Sequence, residues 1–352
     1  MKGVAVLLGQ MSGRTAAVRM IDGALDDLFI DPPESAGPAP ETLFRGTVGR
    51  PVKGLGGVFV DLPGGASGFL RQVKGLRPGQ PILVQVSSHA EPGKAVPLTT
   101  RLLLKGRYAI ITPDAPGLNI ARGIQAPETR QTLQTLAARA MAGAQPDLGL
   151  ILRSAAEDAE TADVSAEIAE LRTLSEAILA DVDGPPALLL APPDAHHLAW
   201  REWAQPAPDT MAEGPDALAR HGADEAITAL LHPEVPLPGG AGMVIEPTRA
   251  LIAVDINTGH DTSPAAGLKA NIAAARELPR QLRLRGLGGQ VTVDFAPMPR
   301  RDRQVLEQSL RAAFRRSAAE TSLAGWTPLG HYELQRRRDR LPLATSLAPQ
   351  GD

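Results

Sequence analysis

Two short apolar segments, each with an aspartate near its C-terminal end, constrain this chain most. Ala250 to Ile256 carries Asp255, and Gln290 to Phe295 carries Asp294. Both read as nearly unbroken apolar strands. A helix is predicted between them over roughly 265–285, ended by Gly286, Gly288 and Gly289, and a second helix is predicted over 302–316. Buried apolar strand, helix, buried apolar strand is the βαβ signature of a parallel sheet. If the two strands are neighbours they lie ~4.8 Å apart, and their carboxylates emerge side by side. Open α/β sheets place ligand sites at that edge. Adjacent carboxylates repel unless a cation or a proton lies between them, and Mg²⁺ suits an all-oxygen site. Asn257, two residues beyond Asp255, projects from the same face and can orient a carboxylate, a water or a phosphate. For either aspartate alone, capping the following element is the better reading. For the pair, with Asn257 and the arginine-rich helix between the strands, a metal site is.

The rest of the chain sets a frame around this unit. Its 352 residues suffice for two or three domains. Cysteine is absent, which excludes disulfides and thiol chemistry and fits a reducing compartment. No apolar stretch approaches the roughly 20 residues needed to cross a bilayer, so a soluble cytoplasmic protein is expected. The net charge of −3 hides an asymmetry. Acidic residues gather between Glu157 and Glu170, while arginines gather late: Arg276, Arg280, Arg283, Arg285, Arg300, Arg301, Arg303, Arg311, Arg315, Arg316, Arg336, Arg337, Arg338 and Arg340. Clustered basic charge suits a phosphate backbone. For the 311–316 group alone, a solvated helix face is the better reading.

Residues 3–8 and 15–21 are predicted strands, and Pro32 to Pro40 is read as a linker. From 43 to 103, short β-type runs punctuated by Gly and Pro predict a small barrel. Further strands are predicted at 108–112, 148–152 and 187–190. Helices are predicted at 128–142, 155–181 and around His196 to Trp203. Gly9 to Thr15 is one residue short of a phosphate-binding loop and has Arg14 where Lys is required. His196 and His197 have no partner cluster and are read as solvated. Glu246 lies close to the aspartates in sequence without a predicted place in the site.

The segment Ala253-Val-Asp255-Ile-Asn257-Thr-Gly259, then Asn271-Ile-Ala-Ala-Ala, then Arg280-Gln-Leu-Arg283-Leu-Arg285-Gly-Leu-Gly288-Gly289 and Val293-Asp294-Phe295 closely resembles the ribonuclease E/G family. Upstream, Phe44-Arg-Gly46, Val58-Phe59-Val-Asp61, Gly68-Phe69-Leu70 and Lys94 to Thr100 resemble the family's S1-type OB fold. Gly106-Arg-Tyr108 and Leu150-Ile-Leu-Arg153-Ser154 resemble its reader of RNA 5′ ends. The resemblance implies an α/β multidomain chain. An RNase H-like domain (1–39 and 104–215) carries the inserted S1-type OB fold (40–103). A DNase I-like catalytic domain (216–340) follows, then a tail (341–352). It implies a Mg²⁺-dependent endoribonuclease of RNA processing or decay that hydrolyses internal bonds of single-stranded RNA, leaving a 5′ phosphate and a 3′ hydroxyl. Asp255 and Asp294 would bind the metal and Asn257 would support them. Phe59, Phe69 and Lys94 would bind RNA. Arg153 and Ser154 would sense a 5′ monophosphate, with Ser154 standing where relatives commonly carry Thr.

On the residues alone, Phe59 and Phe69 are balanced between stacking on bases and filling the barrel core. A strand-end arginine such as Arg153 is more often an ion-pair partner, and a loop lysine such as Lys94 is usually solvated. Relatives commonly carry a zinc-linking cysteine pair and a small dimerisation domain after the segment matching Glu333 to Arg338. Neither is present here, so no structural zinc and a monomer or weak homodimer are expected. The competing expectation is a non-catalytic RNA-binding or regulatory protein that kept the fold; the intact Asp255, Asn257 and Asp294 set favours the enzyme.

Overall fold

The computed structural model describes residues 2–348 apart from 53, 55, 72–74, 92, 204, 316 and 318. Arg316 and the last four residues of the 341–352 tail lie outside the described residues. Two compact units are formed: residues 1–33 with 209–352, and residues 34–208 between them.

The chain opens with three antiparallel strands: β1 (Val4–Met11), β2 (Arg14–Ile21) and β3 (Ala24–Ile30). β3 was not predicted, because the acidic pair Asp26-Asp27 interrupts its apolar pattern. Asp27 is nonetheless buried, and its charge is met by arginines. Arg340 Nη1 donates to it at 2.6 Å, Arg283 Nε lies 3.4 Å away and Arg19 Nη2 3.9 Å. Burial alone would raise the Asp27 pKa. The three guanidiniums, Arg340 foremost, outweigh it and hold the carboxyl below its ordinary value.

The inserted unit begins with β4 (Leu43–Val52), β5 (Gly57–Asp61), β6 (Ser67–Arg71), β7 (Pro81–Val86) and β8 (Val96–Thr99). Their pairing order is β4-β5-β6-β8-β7, and β7 returns to β4, which closes a five-stranded OB-like barrel. Val48, Val58, Val60, Leu70, Val84 and Leu98 fill it. A second layer follows. β9 (Leu104–Lys105), β10 (Ala109–Thr112), β11 (Gly117–Ile120) and β12 (Gly149–Leu152) form a sheet in the order β11-β12-β10-β9. Helices α1 (Pro127–Ala140) and α2 (Thr161–Ala180) pack on it through Leu133, Ala137, Val164, Ile168 and Ile178. β13 (Ala187–Leu190) pairs with β4, and α3 (Ala195–Glu202) ends the unit.

Back in the first unit, β14 (Thr210–Glu213) pairs parallel with β1. The short helices α4 (Ala217–Arg220) and α5 (Ala223–Ala229) bury Leu218 and Ile227 in the same core as Leu7 and Val18. This grouping cuts the chain differently from the sequence division, which joined residues 1–39 to 104–215. The β1–β14 ladder and the shared core account for it.

The last six strands form one sheet, β15-β16-β17-β18-β20-β19: β15 (Glu234–Pro236), β16 (Gly242–Pro247), β17 (Ile252–Asn257), β18 (Gly289–Asp294), β19 (Thr321–Trp326) and β20 (Tyr332–Arg336). Only β17 and β18 run parallel. Their connection is α6 (Ala266–Leu284), and α7 (Arg303–Arg315) follows β18. Both helices cover one face of the sheet. They bury Ala274, Leu278, Leu282, Leu306 and Leu310 against Val254, Ile256, Val291, Val293 and Leu334. The opposite face carries the alternate residues of each strand.

Candidate active site

Strand alternation decides what this open face presents. In β17, Ile252, Val254 and Ile256 point into the core, so Ala253, Asp255 and Asn257 point the other way. In β18 the same split buries Val291 and Val293 and leaves Thr292 and Asp294 outside. Asp255 and Asp294 are direct partners in the parallel register, so the two carboxylates stand side by side, both exposed. The Asn257 amide donates to Asp255 Oδ2 at 2.7 Å. The pair therefore presents its carboxylate oxygens to solvent on one face of the sheet.

The backbone after each aspartate is held tightly. Beyond β17, Gly259 has φ +64° and packs so closely on the Gly240 carbonyl that a Cβ would fall 2.1 Å from its oxygen. Beyond β18, the fully buried Asn271 of α6 clasps Ala296: its amide donates to the Ala296 carbonyl at 2.9 Å, and the Ala296 N–H donates back to Oδ1 at 2.9 Å. Gly267, one turn earlier, leaves room for the Pro297 carbonyl, which a Cβ would meet at 2.1 Å. Two residues of the helix between the strands thus fix the loop that leaves Asp294.

Further polar groups share this face. Glu246 is exposed on β16, opposite Ala253 in register, and Glu333 on β20 lies opposite Thr292. His331, just before β20, places Nε2 3.9 Å from Asp294 Oδ2. None of the three was assigned to the site from sequence: Glu246 sits on the local β16–β17 hairpin with no pattern to mark it, and His331 and Glu333 come there only through the pairing of β20 with β18. Among the described residues no group of three His, Cys, Asp or Glu is assembled as a metal cluster, His196 and His197 included. The two aspartates offer two neighbouring carboxylates. That donor set fits Mg²⁺, which keeps several waters and is commonly held through one or two carboxylates.

The late arginines divide into two groups. Arg280 donates to the Leu25 carbonyl, Arg283 and Arg340 meet the Asp26-Asp27 pair, Arg285 donates to the Leu230 and His232 carbonyls, and Arg336 is buried. These five tie the unit together, so this part of the cluster that the sequence set against a phosphate backbone meets protein groups instead. Arg300 and Arg301 stay exposed on the loop that leaves Asp294.

In the inserted unit, Phe59 and Phe69 are cross-strand partners on β5 and β6, with ring centroids 5.3 Å apart in an edge-to-face arrangement. Their neighbours Val58, Val60 and Leu70 fill the barrel, whereas both rings are half-buried on its outer surface. The choice between core and outer surface left open by the sequence thus falls to the surface. Lys94, exposed in a loop, pairs with Glu91 at 2.8 Å. Arg153 donates to the Gly106 carbonyl at 2.7 Å and pairs with Glu202, and Ser154 is exposed at the start of a short turn. The nearby loop is built on Glu167, whose carboxylate accepts the N–H groups of Arg107, Tyr108 and Ala109.

The model of the ribonuclease E/G family matches residues 103–212 and 207–339. Ribonuclease E of Nostoc sp. (strain PCC 7120) is 30% identical over 302 residues, covering 75% of this chain and 44% of that protein. Ribonuclease G of Salmonella typhimurium is 27% identical over 397 residues, covering 96% of this chain and 80% of that protein. Ribonuclease E of Escherichia coli is 26% identical, with 91% of this chain and 35% of that protein covered. The chain thus spans less than half the length of the ribonuclease E relatives. No helix among the described residues is long and apolar enough to cross a membrane.

Proposed function

Since the chain belongs to the ribonuclease E/G family, we propose that it is a Mg²⁺-dependent endoribonuclease acting on internal bonds of single-stranded RNA. The observation that carries this reading is the register partnership of Asp255 and Asp294 on the open sheet face, with Asn257 bonded to the first. Asp255 and Asp294 would hold the cation, and Asn257 would fix the rotamer of Asp255. When bound, the cation supplies neutralising charge for the phosphodiester and activates water for attack on phosphorus. Arg300 and Arg301, exposed on the segment that follows Asp294, would add cationic charge for the RNA backbone. The RNase H-like and DNase I-like labels for the parts around the barrel belong to the same reading.

A single strand would lie across the barrel, its bases stacking on Phe59 and Phe69. Replacing either ring by alanine should weaken single-stranded RNA binding by ~1–3 kcal/mol, read by fluorescence anisotropy. The melting temperature should move little, because the barrel core is left intact. Unchanged affinity in both variants would remove the stacking role.

The direct test is cleavage of a fluorescent oligoribonucleotide with and without Mg²⁺, carrying either a 5′ monophosphate or a 5′ hydroxyl. Cutting that needs Mg²⁺ is expected, and no cutting under any condition would favour a non-catalytic RNA-binding protein. A faster rate on the monophosphorylated RNA, lost in Arg153→Ala, would assign Arg153 and Ser154 to the 5′ end. The pairing of Arg153 with Glu202 and Gly106 favours a second reading, in which Arg153 is a structural tie. Equal wild-type rates on the two RNAs would decide for that one.

A further inference from the structure

The two paired aspartates differ in their support. Asp255 accepts a hydrogen bond from Asn257 on its own strand. Among the described residues Asp294 accepts no side-chain hydrogen bond, and its one partner at ion-pair distance is His331, with Nε2 3.9 Å from Oδ2. His331 comes from the β19–β20 turn, on the flank of β18 away from β17. We propose that His331 is a positioning residue for Asp294, serving it as Asn257 serves Asp255, so that each carboxylate of the pair is oriented by its own nitrogen donor.

Three observations support the assignment. First, the imidazole is presented from a fixed base. Thr327 N–H donates to the His331 carbonyl at 2.7 Å, and His331 N–H donates to Thr327 Oγ1 at 3.1 Å, which closes the turn from both sides. Second, the hairpin is anchored beside the site. Trp326 packs on Phe295 and Tyr332, donates its indole N–H to Glu307 at 2.9 Å, and lies under the Arg303 guanidinium at 4.1 Å. Third, the two side chains have room to meet. His331 is 39% and Asp294 64% exposed, and closing about 1 Å brings the pair into hydrogen-bond range. Neutral imidazole protonated on Nε2 is already a donor, so the role does not depend on a charged histidine. A donor that fixes a ligating carboxylate raises metal affinity by limiting the orientations the ligand must give up.

The inference rests on the reading of Asp255 and Asp294 as the cation site, and metal binding without RNA separates the two. Mn²⁺, followed by electron paramagnetic resonance, is a suitable probe for an oxygen-donor site of this kind. Wild-type protein, Asp294→Asn, His331→Ala and His331→Gln would be titrated, with melting curves for each. His331→Ala is expected to weaken Mn²⁺ binding about 10-fold or more at an unchanged melting temperature, in the range seen for lost outer-shell partners. His331→Gln, which keeps an N–H donor, should recover most of the loss. If His331→Ala binds Mn²⁺ like the wild type while Asp294→Asn does not, the positioning role is wrong and the cation site stands. If the glutamine variant binds no better than the alanine variant, the donor argument fails. If the wild type binds no Mn²⁺, both the cation site and the inference fall.

Discussion

Asp255→Asn and Asp294→Asn are each expected to slow RNA cleavage by at least about 10²–10³-fold, the scale of losing one principal stabiliser of transition-state charge. Single-turnover rates in Mg²⁺ would measure this, and anisotropy should find RNA binding largely retained, since the barrel surface is untouched. Stability gives an independent signature. Like charges on directly opposite strand positions cost roughly 0.2–1 kcal/mol, and these two carboxylates are exposed register partners. Without metal, either substitution should therefore leave the melting temperature unchanged or slightly higher. Loss of activity with a gain in stability is the mark of a functional site held against its own repulsion. Near wild-type cutting by either variant would remove that carboxylate from the cation site.

The second large effect is structural. Asp27 is the buried centre of a cluster formed by Arg340, Arg283 and Arg19. Asp27→Ala would leave three guanidiniums around an empty carboxylate position, and a loss of about 3–5 kcal/mol is expected in urea denaturation. The pH dependence follows from the direction of the shift. The folded-state pKa lies below the ordinary value of 3.8, so the carboxylate's contribution is complete above that value. It is lost as pH falls through the depressed folded pKa. The wild type should lose stability steeply below pH 3.8, and Asp27→Asn should lack that part of the acid dependence. Equal acid slopes in the two proteins would show that Asp27 is not held ionised by its arginines.

The contrast between Asp255 and Asp27 shows what the chain discloses before it is folded. Asp255 and Asp294 end runs of apolar residues, so their strands, the helix between them and the shared edge are all readable from local pattern. The barrel strands are legible for the same reason, since Gly and Pro mark their ends. Asp27 sits in the middle of its strand, and the residues that neutralise it lie at 19, 283 and 340. Local periodicity breaks there, and the compensation is invisible without the tertiary structure. His331 was hidden for a related cause. Nothing in its neighbours marks it as functional, and only the antiparallel pairing of β20 with β18 brings it to Asp294. The late arginines misled because composition records charge and not its partner. Five of them are spent on carbonyls, carboxylates and hydroxyls inside the unit.

The division of the first unit by the second bears on how the molecule is made. The Val4 N–H donates to the Asp209 carboxylate, a contact 205 positions apart, and β1 pairs with β14 in the same region. During synthesis the β1–β3 meander therefore emerges long before its fourth strand, with one side of β1 unmatched. The barrel and its attached layer are translated in that interval and possess their own cores. Their collapse shortens the effective chain that β14 must close, and loop-closure entropy grows only slowly with length, by about 0.6 kcal/mol per doubling. The wait, and not the equilibrium cost, is the exposed step: an open strand edge on the nascent chain is the point at which a ribosome-associated chaperone or a neighbouring chain would intervene.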